Sequence, residues 1–174
     1  NNGTVCVAAA GNAGADQVDF PARHPKVVGV GAVGRNENVP RFSNRGEGVD
    51  VAAAGVRVTS TLPEDQYGDK SGTSMSSPHV AGAIALGCLA NPEATPEELR
   101  QTLRDTARPV DAAGPDDVGA GLPDLVAYVN ALQEQPPPTG HLRPRGPSPG
   151  VPSRELTTRG TFSPRWLTVV RSPP

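Results

Sequence analysis

The residues that could do chemistry are concentrated in the sequence SGTSMSSPHVAG, at positions 71–82. Ser74 lies there between a Gly-Thr pair and a run of small residues that leads into an apolar segment. The first turn of a helix has unpaired N–H groups and the positive end of the helix dipole, and both favour a developing negative charge. Ser74 is therefore a candidate nucleophile for acyl transfer, although a serine at a helix start most often only caps the helix.

A second polar side chain follows an apolar segment close to the start of the sequence. The segment AAAGN ends in Gly11 and Asn12, directly after a run that is typical of a buried strand. Parallel sheets place their sites beyond the carboxyl ends of the strands, and an asparagine amide there can donate a hydrogen bond to an oxyanion. Asparagine after a strand is more often a turn residue, so Asn12 by itself is a weak signal.

The elements that must position these two side chains are predicted from hydrophobic periodicity. Short, β-branched and nearly apolar segments indicate strands that are covered on both faces. These segments are residues 4–10, 26–33 and 49–61, the last of them broken at Gly55. A long apolar helix is predicted from Ser74 to Ala90, and a last helix from Leu122 to Leu132. Strands with covering helices predict an α/β fold with a mostly parallel sheet.

The clearest helix start in the sequence is TPEE at residues 95–98. Thr95 is a good N-cap, the following proline suits the first helical position, and Glu98 can close a capping box. Leu99 and Leu103 lie four residues apart and give this helix one apolar face. The sequence therefore predicts a surface helix that begins after Thr95.

The composition changes at Gln135. Residues 135–174 hold half of the chain's 20 prolines and no sustained apolar period, which predicts a Pro/Arg-rich disordered tail. A short strand at Trp166–Val170 is the alternative. Residues 1–134 are the predicted domain; their excess of acidic residues argues against a nucleic-acid partner, and no apolar run approaches the roughly 20 residues that a membrane span needs.

Two other features have chemical interpretations that the sequence does not favour. Cys6 and Cys88 lie in apolar segments without metal-ligand spacing, so buried free thiols are predicted and a disulfide is the alternative. The pattern G-x-G-x-x-G at residues 29–34 is found in dinucleotide-binding oxidoreductases. Here its glycines lie inside a strand-like run, and turn formers follow where a helix should begin.

Four segments together resemble a known family. They are VAAAGN, FPARHPKVVGVGAV, FSNRGEGVDVAAAGV and SGTSMSSPHVAG, and they resemble the C-terminal part of the catalytic domain of subtilisin-like serine peptidases (subtilases, family S8). The resemblance covers residues 1–134. It implies a three-layer α/β fold with a mostly parallel sheet, whose N-terminal half is absent from this chain.

The resemblance also implies an activity and a site. The activity is that of a serine endopeptidase, with Ser74 as the nucleophile and with Asn12 and the Ser74 N–H as the oxyanion donors. The implied substrate-binding residues are Ala9, Ala10 and Gly11, which wall the S1 pocket, and Asp19 at its floor. A carboxylate at that position predicts a preference for Lys or Arg as the P1 residue.

The general base and its partner are missing from the sequence. A subtilase needs a histidine and an aspartate, which the family carries in His-Gly-Thr and Asp-Thr/Ser-Gly motifs, and neither motif occurs here. His79 follows Ser74 by five residues, about 140° around the helix axis; His24 lies in a loop and His141 in the tail. The isolated chain is therefore expected to be inactive, and a non-catalytic remnant that acts as a folded or binding module is the alternative function.

Partners and location follow from the resemblance alone. The implied partners are a protein or peptide substrate and the missing N-terminal half, with no nucleic acid and no membrane. An extracellular location is expected, although the chain shows no signal peptide. No cofactor is certain; calcium is possible through backbone carbonyls of the loop at Ala22–Val27. Loss of the other half is also expected to leave an open edge on the sheet, which favours aggregation.

Overall fold

The computed structural model describes residues 3–111, 113–135 and 167–170, the last only as a strand. A four-stranded parallel sheet is covered by helices, and a separate two-stranded antiparallel hairpin projects beside it. This arrangement confirms the predicted α/β class and the parallel sheet.

The elements follow one another as strands first and helices later. The strands are β1 (Val5–Ala9), β2 (Val27–Val33), β3 (Val51–Ala54), β4 (Val58–Leu62), β5 (Gln66–Lys70) and β6 (Leu167–Val170). The helices are α1 (Thr73–Ala90), α2 (Pro96–Asp105), α3 (Pro115–Val118) and α4 (Leu125–Glu134). The sheet order is β3-β2-β1-β6, and β4 and β5 form the hairpin.

Most of the predicted elements are confirmed, including the break of the third strand segment at Gly55, which separates β3 from β4. The helix α2 begins with the predicted capping box, because Thr95 accepts from the Glu98 N–H and Glu98 accepts from the Thr95 N–H. The predicted start of the last helix at Leu122 was wrong by three residues. Its N-cap is Asp124, whose carboxylate accepts the N–H groups of the first turn.

The helix α1 is the central element of the fold. It packs across β1, β2 and β3 on one face of the sheet and contacts α2 and α4. The core between them consists of fully or nearly fully buried aliphatic side chains with one tyrosine, among them Val7, Val30, Ile84, Leu103 and Tyr128. On this face of the sheet, the strands and the helices α1, α2 and α4 therefore share one hydrophobic core.

The outer strand β3 and the strand β1 both have neighbours. On the β3 side, the Ala52 N–H donates to the Gly121 carbonyl, and the Ala120 N–H donates to the Asp50 carbonyl. On the β1 side, β6 pairs in parallel. The edge strand on this side of the described sheet is therefore β6 and not β1. The predicted alternative of a strand near residues 166–170 matches β6. The rest of the predicted tail lies outside the described residues, apart from Gln135.

The glycine pattern in β2 has a packing explanation. Gly29 and Gly31 lie inside the strand, and Gly34 follows in a turn, where its N–H donates to the Asn38 carbonyl. A side chain at Gly29 would overlap the carbonyl oxygen of Gly48. No helix follows β2, so the dinucleotide-binding interpretation fails and the glycines serve close backbone packing.

Both cysteines are free and only half-buried, which excludes the disulfide alternative. Burial raises the pKa of the Cys88 thiol. Among the described residues, no helix has the length and apolar character needed to cross a membrane.

Candidate active site

The carboxyl end of β1 and the start of α1 meet at one point. Gly11 has φ 113°, a conformation that favours glycine, and it turns the chain out of the sheet. The Gly11 N–H donates to Thr73 Oγ1 at 3.2 Å, and the Gly11 carbonyl accepts the Asn44 N–H at 3.0 Å. The end of the strand is therefore fixed directly against the first residue of the helix.

Thr73 also fixes the side chain of Asn12. The Thr73 N–H donates to Asn12 Oδ1 at 2.8 Å, and Thr73 Oγ1 lies 3.0 Å from the same oxygen. The oxygen branch of the amide is thus held by the start of α1. The Nδ2 branch points away from these contacts, and because Asn12 is exposed, its N–H groups remain able to donate to a bound ligand.

Ser74 is the second residue of α1 and is half-exposed. Its N–H is one of the first helix N–H groups, which have no acceptor within the helix. The neighbouring Ser76 is fully buried, and its Oγ donates to the Ala53 carbonyl at the end of β3 at 3.0 Å. The helix start is therefore anchored to the sheet by Ser76, while Ser74 is partly accessible to solvent.

The substrate-binding residues predicted from the resemblance lie next to Asn12. Ala9 and Ala10 are fully buried, and the Ala10 carbonyl accepts the Asp19 N–H at 2.9 Å. A side chain at Gly11 would overlap the Asp19 carboxylate. The structure thus brings Gly11 and Asp19 together within the single loop that joins β1 to β2.

Asn44 is a contributor that the sequence analysis missed. It is fully buried, and its Oδ1 accepts the N–H groups of Ala13 and Ala15 at 2.9 and 3.0 Å. Its Nδ2 has no partner among the described residues and lies on the side of Gly11 and Asp19. The only sequence signal was an asparagine in the turn-like FSNRG, which marks a loop but not the contact it makes.

Neither described histidine makes a hydrogen bond to Ser74. The ring Nδ1 of His79 lies 2.8 Å from the Met75 carbonyl, one turn back along α1, and the side chain is exposed. His79 lines an apolar cavity of about 380 Å³ at the other side of the helix. His24 accepts the Lys26 N–H in its own loop, and His141 lies outside the described residues.

In the loop at Ala22–Val27, the resemblance implies backbone carbonyls as calcium ligands; there the His24 carbonyl accepts the Val27 N–H. The guanidinium of Arg100, only 7% exposed, donates to the Pro25 carbonyl at 2.6 Å. Arg104 pairs with Asp50 at 2.8 Å, and both arginines line the cavity of about 680 Å³ beside the loop. The carboxylates of Asp16, Glu47 and Glu97 line the same cavity, so its lining carries both signs of charge and does not exclude a cation. No group of three or more His, Cys, Asp or Glu residues that could hold a metal exists in the described part of the chain.

The chain belongs to the subtilase family: the sequence model of the Subtilase family matches residues 1–131. The fold is accordingly the subtilisin-like α/β fold, present as a partial domain.

Curated relatives match the same region. The chain is similar to subtilisin Savinase from Lederbergia lenta, at 44% identity over 107 residues, or 62% of this chain and 40% of the relative. It is similar to alkaline elastase YaB from Bacillus sp. (strain YaB), at 45% over 106 residues, 61% of this chain and 28% of the relative. It also matches a thermophilic serine proteinase from Bacillus sp. (strain AK1), at 45% over 114 residues, 66% of this chain and 28% of the relative. The chain thus spans less than half the length of these relatives.

Proposed function

We propose that this chain supplies the nucleophile and the oxyanion donors of a serine endopeptidase that acts on proteins or peptides. The observation that carries the proposal is the link through Thr73, which fixes Asn12 Oδ1 at the start of the helix that holds Ser74. A structural serine and a turn asparagine do not require such a link. Membership of the subtilase family and the subtilisin relatives support the same reaction class.

In this proposal the Ser74 hydroxyl attacks the peptide carbonyl and forms an acyl-enzyme. The carbonyl oxygen becomes an oxyanion, which accepts hydrogen bonds from Asn12 Nδ2 and from the Ser74 N–H. The hydroxyl proton must go to a base, because serine is a weak nucleophile at its ordinary pKa. Among the described residues, neither His24 nor His79 is placed to take it, so we propose that the isolated chain is inactive.

We propose that the histidine and aspartate come from the part of the catalytic domain that this chain does not cover. The outer face of α1 supports this: it carries Pro78, Gly82, Leu86 and Leu89, and Leu86 and Leu89 are 43% and 60% exposed. A helix that is apolar all round is normally buried on every side. The polypeptide that would cover this face is the remainder of the domain.

The alternative function is a non-catalytic module that uses the same face of α1 for binding. The observation that favours it is the position of His79, whose ring is bonded to the Met75 carbonyl rather than directed to Ser74. An extracellular location is part of either proposal on the family resemblance alone. Neither a nucleic acid nor a membrane is proposed as a partner.

The oxyanion assignment is tested in a reconstituted enzyme, in which the region of subtilisin Savinase that precedes the match is fused to this chain. We expect Asn12→Ala to lower kcat by about 10²–10³, the loss seen when the oxyanion asparagine of subtilisin is removed. Asn36→Ala is the matched control, because Asn36 is exposed and lies in a loop after β2. Equal kcat values for the two variants would refute the role of Asn12.

We propose that Asp19 selects a basic P1 residue. Its carboxylate lies beside Gly11, is exposed, and has no ion-pair partner among the described residues. In a peptide library, the reconstituted enzyme should prefer Lys or Arg at P1, and Asp19→Asn should reduce that preference by about tenfold, since the replacement keeps the shape and removes the charge. A preference for Phe or Leu that Asp19→Asn leaves unchanged would exclude this role.

A further inference from the structure

The C-terminal strand of the chain lies beside its first strand. β6 pairs in parallel with β1, in a register that places Val5 opposite Leu167 and Ala8 opposite Val170. It also contacts α1. A segment that follows the four described helices in sequence thus extends the sheet beside β1.

The N–H groups of β1 divide between its two neighbours. The Ala10 N–H donates to the Val30 carbonyl of β2, and because N–H groups alternate sides along a strand, those of Cys6 and Ala8 also face β2. The N–H groups of Val7 and Ala9 therefore face β6. Without a neighbour on that side, these groups would form an open edge.

An open parallel edge next to a buried strand is a site for strand addition from another chain. β1 is apolar, and its side chains Val5, Val7, Ala8 and Ala9 are buried. It therefore has no charged side chain that would discourage another strand from pairing with it. The strand leads directly into Gly11 and Asn12 of the candidate site. Whether this edge is paired or open therefore affects both the association of the chain with other polypeptides and the assembly of the candidate site.

We propose that β6 is a built-in strand plug: it closes the β1 edge against strands of other polypeptides and must leave before the remainder of a subtilase domain adds a strand there. The plug itself stands on the pairing of β1 with β6. The second part of the proposal, competition between β6 and an added strand for β1, rests on the proposed function, in which a separate polypeptide completes the domain.

The register of β6 supplies a matched pair of variants in the full chain. In a parallel ladder with Val7 opposite Val169, the N–H groups of Thr168 and Val170 face β1, whereas that of Val169 faces away. Thr168→Pro removes a hydrogen bond to β1, and Val169→Pro removes an N–H on the outer side, where proline is tolerated on an edge strand.

Hydrogen exchange by NMR tests the plug without reference to activity. In Thr168→Pro we expect exchange of the Val7 and Ala9 N–H groups to accelerate by about tenfold or more, while Cys6 and Ala8, bonded to β2, stay protected. In Val169→Pro all four should stay protected. Unchanged protection of Val7 and Ala9 in Thr168→Pro would overturn the proposal.

The competition is tested by binding. The region of subtilisin Savinase that precedes the match, carrying a fluorescent label, is mixed with each variant and followed by anisotropy. Thr168→Pro should bind it several-fold faster than Val169→Pro; equal rates would overturn the competition. Binding without any peptide hydrolysis would count against the proposed function but not against the plug, so the two can fail separately.

Discussion

The two faces of α1 differ sharply in what covers them. On one face, Val80, Ile84 and Gly87 are buried against the sheet, α2 and α4. On the other, no atom outside the helix's own backbone lies within 4 Å of where a side chain at Gly82 would begin, and Leu86 and Leu89 are exposed. Apart from the exposed His79, both faces consist mainly of apolar and small residues. The comparison shows a helix built for the centre of a larger domain, of which this chain completes one side.

The largest effect is expected at the glycine of the covered face. A methyl group at Gly87 would overlap the ring of Tyr128, and both belong to the closed core. Gly87→Ala should therefore lower the free energy of unfolding by about 1–3 kcal/mol, the usual cost of overpacking. Urea denaturation of the full chain measures it.

Gly82→Ala is the matched control on the open face of the same helix. Because no atom outside the helix's own backbone lies within 4 Å of the added methyl group, the gain in helix propensity should stabilise the chain by up to about 1 kcal/mol. If Gly87→Ala and Gly82→Ala were equally destabilised, the conclusion that one face of α1 is covered and the other is open would be wrong.

A smaller effect is expected at Tyr128, which is fully buried and donates its hydroxyl to the Leu99 carbonyl at 3.2 Å. Burial raises the pKa of this phenol above its ordinary value. The folded state therefore keeps the proton above pH 10, where the unfolded state loses it. The stabilisation is complete below about pH 10 and is lost as the pH rises toward the folded-state pKa.

Tyr128→Phe removes this pH dependence. At neutral pH the loss of one hydrogen bond should cost about 1 kcal/mol. Above pH 10 the free energy of unfolding of the native chain should fall faster than that of the variant, by about 1.4 kcal/mol per pH unit. If the free energies of unfolding of the native chain and of Tyr128→Phe changed with pH at the same slope from pH 8 to 11, Tyr128 would not be shielded from water in the folded state.

Local patterns predicted the elements well, because each depends on residues close in sequence. The capping box of Thr95 and Glu98 and the break at Gly55 are local features of this kind. The hairpin strand β5 was missed, since its sequence QYGDK is polar and is exposed or half-exposed at every position. Its pairing with β4, rather than its own periodicity, makes it a strand.

The candidate site was predicted as a set of residues but not as an arrangement. Asn12 and Thr73 are 61 residues apart, and periodicity carries no information about a contact at that separation. Neither Thr73 nor Asn44 was predicted as a site residue. Both bond to Gly11, just after β1: Thr73 Oγ1 accepts the Gly11 N–H, and the Asn44 N–H donates to the Gly11 carbonyl.

The most direct test of the account is labelling of Ser74 with a fluorophosphonate probe, read by mass spectrometry. Under the proposed function the chain alone should not be labelled, because neither histidine of the described residues is placed to activate the hydroxyl; removal of the catalytic residues costs subtilisin roughly 10⁶ in turnover. Fused to the preceding region of subtilisin Savinase, the chain should be labelled at Ser74, and Ser74→Ala should abolish the label. Labelling of Ser74 in the isolated chain, or no labelling in a folded fusion, would contradict the account.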